Sequence, residues 1–342
     1  MAGPRTLFSA FAALGYSLGV AGGRSRANGC ARILMLHGTP RRHARFFERI
    51  MRYVQRHFRV VPLAALARTD DLLGKLAVTF DDGLRNNVEV AYPVLRALGV
   101  PATFFVCPGL VERRAWLWNQ EARQRLLRMD AKARHDLALE VECGPEVESI
   151  IYRMKRLPVA DRAHVEALVR AATPRFEPTQ AERHELDVAG WSELRALDPA
   201  IVTIGSHTLT HPILPSLSPA EIEAEIAGSR RVLEARLGRA VELFAYPNGD
   251  ADAATVACVR RNYLAAVTVE EGWMTYATDR HLLPRINVPN SRLRLALALH
   301  RGYFAPAPMS RSGSQVASAG NAVMSAMQTS IIKKKGTDAR AT

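Results

Sequence analysis

The stretch Leu76-Ala-Val-Thr-Phe-Asp-Asp-Gly83 reads as a buried strand that ends in two adjacent carboxylates and a glycine. Successive side chains of a strand point to opposite faces, so a tip that runs into a turn can bring both Asp81 and Asp82 to one cleft. Neighbouring carboxylates repel. The pairing therefore favours a metal, a shared proton, or a division of roles between ligand and base. On its own the segment is equally an Asp-Gly turn closing a strand.

Further along, Val202-Thr-Ile-Gly-Ser-His-Thr-Leu-Thr-His211-Pro212 repeats the pattern of an apolar run ending in polar groups. His207 and His211, at i and i+4, share one face of a helical turn, where two imidazoles can bind one ion. An Asp carboxylate completes three protein ligands and leaves a position open for water and substrate, which is a catalytic rather than a structural arrangement. His-x-x-x-His alone is common on surface helices; beside Asp-Asp-Gly at another strand end it carries weight.

Together, Thr79-Phe-Asp-Asp-Gly83 and His207-Thr-Leu-Thr-His211-Pro212 resemble the first and second motifs of the NodB-homology polysaccharide deacetylases, carbohydrate esterase family 4. Asn86-Asn87 and Val100-Pro-Ala-Thr-Phe-Phe-Val106 resemble the family's following helix and second strand, and the likeness runs from Ile33 to Phe304. The resemblance implies an α/β fold, a distorted, incomplete (β/α) barrel of about seven strands. It also implies Asp82, His207 and His211 as metal ligands, with Asp81 as the general base that activates metal-bound water. The implied ion is divalent, zinc first, with cobalt, manganese and nickel also suited to His-His-Asp. The implied reaction removes N-acetyl groups from N-acetylhexosamine units of an oligo- or polysaccharide.

Amide hydrolysis passes through a tetrahedral oxyanion, which a metal and a backbone N–H on a rigid turn can stabilise. In Phe244-Ala-Tyr-Pro-Asn-Gly-Asp250, Pro247 fixes one torsion and Gly249 permits a reversal. Tyr246, Pro247 and Asn248 are therefore the candidate substrate and oxyanion contacts, a plain turn being the alternative. Ala245 stands where the family's best-known third motif has an Arg, and Asn248 where it has an aromatic. This version resembles a subgroup of bacterial exopolysaccharide deacetylases that often carry Leu-Pro-Arg-Ile near the C-terminus, matched here by Leu283-Pro-Arg-Ile-Asn-Val288. Arg285 is expected to reach the cleft from another strand and hold Asp81 charged; a surface Arg at a strand start is the alternative. The family's general-acid histidine has no clean match. His281 and His300 lack supporting flanks, whereas His37, ending Ile33-Leu-Met-Leu-His-Gly38, belongs at the same rim as acid, substrate contact or support.

At 342 residues and 48% hydrophobic side chains, the chain can bury one large core or two modest ones. Strands are expected at Ile33–Leu36, Leu76–Phe80, Ala102–Val106, Ile201–Ile204, Leu243–Tyr246, Ala265–Val269 and Arg285–Val288. They alternate with helices such as Phe46–His57 and Pro219–Leu237, so the sheet should be mostly parallel, with the functional residues at strand C-termini. A helical insertion is expected over about Val111–Asp187. Its Trp116, Trp118 and Tyr152 suit either sugar stacking or the core of a helical subdomain, the second being more usual.

The net charge of +13 is concentrated at the N-terminus, where eleven arginines of residues 1–60 face one acid, Glu48. No nucleic-acid-binding pattern accompanies them, so no nucleic-acid partner is expected. Basic residues beside the apolar Leu7–Ala21 fit peripheral contact with an anionic membrane or an acidic polysaccharide. That segment is too short and interrupted for a membrane span and lacks a clear cleavage site, so a cytoplasmic or membrane-peripheral location is preferred to export. Cys30, Cys107, Cys143 and Cys258 show no paired spacing. The expected organisation is a basic, signal-like segment over 1–30, a deacetylase domain over 31–304, and a disordered basic tail over 305–342. Two alternatives remain on the same fold: a carbohydrate-binding or assembly protein with weak turnover, and a hydrolase of other non-peptide amides.

Overall fold

Strand tips that are far apart in sequence converge because eight parallel strands share one sheet: β1 (Arg32–Leu36), β2 (Arg59–Val60), β3 (Lys75–Phe80), β4 (Ala102–Val106), β5 (Val202–Ser206), β6 (Leu243–Ala245), β7 (Ala265–Glu271) and β8 (Leu283–Asn287). The computed structural model describes residues 29–300. The expected basic tail, and all but the last two residues of the expected N-terminal segment, lie outside them. Strand β1 pairs with both β8 and β3, so seven strands close into a ring while β2 lies on the lower edge of β3. This is the expected seven-stranded (β/α) barrel.

The helices follow in chain order: α1 (Ala44–His57), α2 (Leu63–Ala67), α3 (Tyr92–Leu98) and α4 (Pro108–Arg113). Residues 118–186 hold α5 (Trp118–Arg128), α6 (Ala131–Glu140), α7 (Val147–Met154), α8 (Val159–Ala171) and α9 (Gln180–Leu186). After them come α10 (Trp191–Arg195), α11 (Pro219–Leu237), α12 (Ala253–Asn262) and α13 (Arg292–His300). The start of α11 is fixed by a capping box, in which Ser218 and Glu221 each bond the other's backbone N–H and Pro219 takes the first helical position.

Strand alternation divides the core in two. Leu34, Val78, Phe80, Phe104 and Phe244 face outward and pack with helix residues such as Ile50, Leu95 and Ile226. Ile33, Ala77, Phe105, Leu243, Val267 and Leu283 face inward and fill the barrel, closed below by Leu63 and Leu66 of α2. Gly205 belongs to the inward set because a Cβ there would lie 2.5 Å from the Phe105 ring. Two residues further along the same faces come Asp81 (beyond Thr79), His207 (beyond Gly205) and Arg285 (beyond Leu283). Period-2 alternation thus stacks the polar groups on top of the apolar filling, at the C-terminal mouth.

Helices α5 to α8 build a separate apolar cluster around Leu126, Ile150, Met154 and Val165. Trp116 and Trp118 are both buried, while Tyr152 is exposed beneath the Arg156 guanidinium. The tryptophans therefore anchor the helical region.

Candidate active site

Asp81 follows the last residue of β3, and its N–H donates to the Leu36 carbonyl at 2.9 Å. The chain then turns through Asp82 and Gly83, at φ 72° and 63°. Asp is among the few side chains that enter this left-handed region readily. The turn separates the two carboxylates. Asp81 faces Arg285, whose Nη1 and Nη2 donate to its two oxygens at 2.8 and 2.7 Å. Arg285 is itself fixed by Nε donating to the Thr268 carbonyl at 2.7 Å and Nη1 to Thr79 Oγ1 at 3.1 Å. Burial opposes ionisation of Asp81, but the adjacent guanidinium outweighs it and holds the carboxyl well below the usual range. The guanidinium comes from β8, next but one to β3 in the ring.

The segment after β5 is not the helical turn that the His207–His211 spacing implies. Thr208 and His211 take φ of 65° and 61°, and the loop reverses without helical hydrogen bonds. Side chains satisfy its backbone instead. Glu225 of α11 accepts from Leu209 N at 2.8 Å, Thr210 N at 2.9 Å and Thr210 Oγ1 at 2.6 Å. Thr208 Oγ1 accepts from His211 N at 3.0 Å. These acceptors compete successfully with a helical turn for the N–H groups. On the carbonyl side, Gly109 N donates to Leu209 at 2.9 Å and Trp118 Nε1 to His211 at 3.2 Å. No sequence spacing marks Glu225, Gly109 or Trp118 as supports of this loop.

The outcome is a buried cluster of Asp82, His207 and His211 whose ligand atoms lie within 4.8 Å of one another. Nε2 of His207 is 3.6 Å from Asp82 Oδ1, and Nε2 of His211 is 3.7 Å from the same oxygen. These separations are too long for hydrogen bonds and suit ligands around one ion with bonds of about 2.0–2.2 Å. His207 Nδ1 donates to the Ala245 carbonyl at 2.8 Å, which leaves Nε2 as the lone-pair nitrogen. Burial drives His211 well below its ordinary pKa, helped by the charges of His207 and Lys155, so the ring is in its neutral, ligating form. Burial also raises the pKa of Asp82. A buried carboxylate that is costly to ionise, facing two imidazoles, fits a divalent cation.

Of the third segment, Tyr246 turns away from the cleft. Its ring packs on Phe244 in the outer core, its N–H donates to Val267 O at 3.2 Å, and its hydroxyl reaches His281 O at 3.0 Å. The expectation that Tyr246 contacts substrate is corrected: the ring is worth more as core. Pro247 has no N–H, so Asn248, at φ 53°, is the member of the trio able to offer a backbone donor. His37 follows β1 at the mouth and lines a cleft of about 110 Å³ with Phe46, Asn287 and Asn290. A charge on its ring favours ionisation of both Asp81 and Asp82. His281 bonds the Tyr263 carbonyl, ahead of β7, and His300 stacks on Phe58, ahead of β2, so both lie towards the opposite end of the barrel.

A family model described as polysaccharide deacetylase matches residues 73–267, more than half of the chain. Among solved structures, a polysaccharide deacetylase from Bacillus cereus is 18% identical with a TM-score of 0.53, covering 79% of this chain and 69% of that one. The deacetylase PplD of Streptococcus pyogenes, solved with acetate, gives 18% and 0.53, covering 79% and 98%. IcaB from Ammonifex degensii gives 16% and 0.51, covering 79% and 97%. At these identities the likeness concerns the fold. No curated protein matches the sequence. With the family model spanning both the Asp-Asp and the His-His segments, the chain belongs to the polysaccharide deacetylase family, hydrolases of non-peptide carbon–nitrogen bonds.

Proposed function

We propose that this protein removes N-acetyl groups from N-acetylhexosamine units of an oligo- or polysaccharide, using a divalent metal ion, zinc first, held by Asp82, His207 and His211. The observation that carries the reading is the buried Asp-His-His cluster beside a carboxylate held ionised by Arg285. Such an ion, when bound, supplies Lewis acidity towards the acetyl oxygen and lowers the pKa of a water. Asp81 accepts the proton of the attacking water; its pairing with Arg285 keeps it ionised throughout the neutral range. The turn at Asn248 offers a backbone donor to the oxygen of the tetrahedral intermediate. His37, at the end of β1 and close enough for its charge to act on Asp81 and Asp82, delivers a proton to the departing amine as the carbon–nitrogen bond breaks and acetate leaves.

The test is acetate release from N-acetylglucosamine oligomers and from bacterial exopolysaccharide, by protein stripped of metal and reloaded with zinc or cobalt. Release is expected only after reloading. Asp81→Asn is expected to keep the metal and lose about 100-fold or more in kcat. Metal-independent release, or full activity of that variant, would refute the mechanism.

A further inference from the structure

One cation beside the Asn248 turn has no role in the steps above. Lys155 follows α7, is half-buried, and donates from Nζ to Asn248 Oδ1 at 3.0 Å. Neighbouring cations of the helical region pair with carboxylates: Arg123 with Glu148 at 2.6 Å, Arg125 with Glu121 at 2.8 Å, Arg162 with Glu166 at 3.2 Å. Lys155 forms no ion pair among the described residues; its direct partner is a neutral amide. Burial lowers the pKa of this ammonium, and Arg123 adds to the effect. The charges of Asp250, Glu148 and Asp82 oppose it from a distance, without contact. A partly desolvated cation in such surroundings is stabilised by an arriving anion.

Asn248 is the second half of the arrangement. Lysine has only donors, so the amide oxygen of Asn248 must face Nζ and its NH2 must point elsewhere. That nitrogen is buried and has no partner among the described residues. The backbone holds it there: Asn248, at φ 53°, precedes Gly249 at φ 78° in the turn after β6. Two donors from separate segments thus keep unused capacity at the turn after β6, three residues beyond the Ala245 carbonyl that holds the His207 ring. Asp81 is already neutralised by Arg285 and does not compete for Lys155.

We propose that Lys155 and Asn248 form a receptor for an acidic group carried by the glycan, so that the favoured substrate presents a carboxylate or similar anion beside the N-acetylated sugar. This rests on the deacetylase reading and extends it to substrate class. The probes are neutral N-acetylglucosamine oligomers and hyaluronan oligosaccharides of equal length, in which glucuronate alternates with N-acetylglucosamine. Each is titrated into the zinc-loaded full chain by calorimetry at two ionic strengths and assayed for acetate release.

Wild type is expected to bind the acidic oligomer about tenfold tighter at low salt, with the preference shrinking as salt rises. Lys155→Met is expected to lose about tenfold more affinity for the acidic oligomer than for the neutral one, and Lys155→Arg to recover most of the preference. Equal affinity of wild type for the two oligomers would overturn the proposal. So would an equal loss on both in Lys155→Met, which would place the ammonium on the reacting amide instead. If no acetate is released from either oligomer, the deacetylase reading fails while the calorimetry still decides whether an anion receptor exists.

Discussion

At the scale of single residues, the Asp81–Arg285 pair is the strongest electrostatic feature of the mouth. Both partners are buried, and removing one leaves an uncompensated charge. Arg285→Ala is expected to lose about 3–5 kcal/mol of stability in denaturant unfolding. Because the wild-type Asp81 pKa is depressed, its contribution is complete above the ordinary carboxylate pKa and fades only as pH falls towards the folded value. Without the guanidinium, the burial that opposes ionisation of Asp81 loses its main counterweight and the pKa rises from its wild-type position, so the acid limb of the pH–rate profile should move to higher pH. Glu225 makes a second prediction. Glu225→Ala removes three hydrogen bonds from the loop that carries both histidines and should weaken metal binding about 10–100-fold, read by competition with a chelating dye. Unchanged metal affinity would show that the loop holds its shape without the carboxylate. Asp81, Asp82, His207 and His211 were legible in the sequence because their chemistry lies in adjacent or closely spaced letters. Glu225 and Lys155 were not, since each acts across a long sequence separation and belongs to no local pattern.

At the scale of elements, all seven barrel strands are found where apolar runs end in turn residues, and α11 lies where its capping signals place it. Strand β2 escaped notice because it has two residues and no alternation to detect. The His207–His211 segment departs from the helical turn that its spacing predicts, for a different reason. An i, i+4 spacing also fits an irregular turn once side-chain acceptors replace helical hydrogen bonds, and local sequence does not distinguish the two. That loop is braced at Gly109, where a Cβ would lie 2.7 Å from the Leu209 carbonyl oxygen, a backbone atom with little room to yield. Gly109→Ala should therefore displace the loop, lowering both thermal stability and metal affinity. Wild-type values for both would refute the bracing role.

At the scale of the whole molecule, barrel closure brings the ends of β3, β5, β6 and β8 to one mouth, and the proposed metal cluster gathered there should couple stability to metal and pH. His211 is neutral in the fold, whereas in the unfolded chain it takes up a proton below about pH 6.5. Metal-stripped protein should accordingly lose stability as pH falls below that value, measured by its melting temperature across the range. Reloading zinc at about 1,000 times its Kd should add about 4 kcal/mol, because the ion binds the assembled cluster. A stripped protein whose stability is flat from pH 7 to 5 would argue against the neutral buried imidazole. Alternation of apolar and polar residues and strand-ending turns determined a mostly parallel sheet from sequence alone, and two short motifs, through the family they resemble, pointed to the barrel, the candidate ligands and the reaction class, since each is written in neighbouring residues. Tertiary structure decided which guanidinium meets Asp81, how an irregular loop aims two imidazoles at Asp82, and that Lys155 stands beside Asn248. Those contacts join segments that only closure of the ring brings together, and no local propensity encodes them.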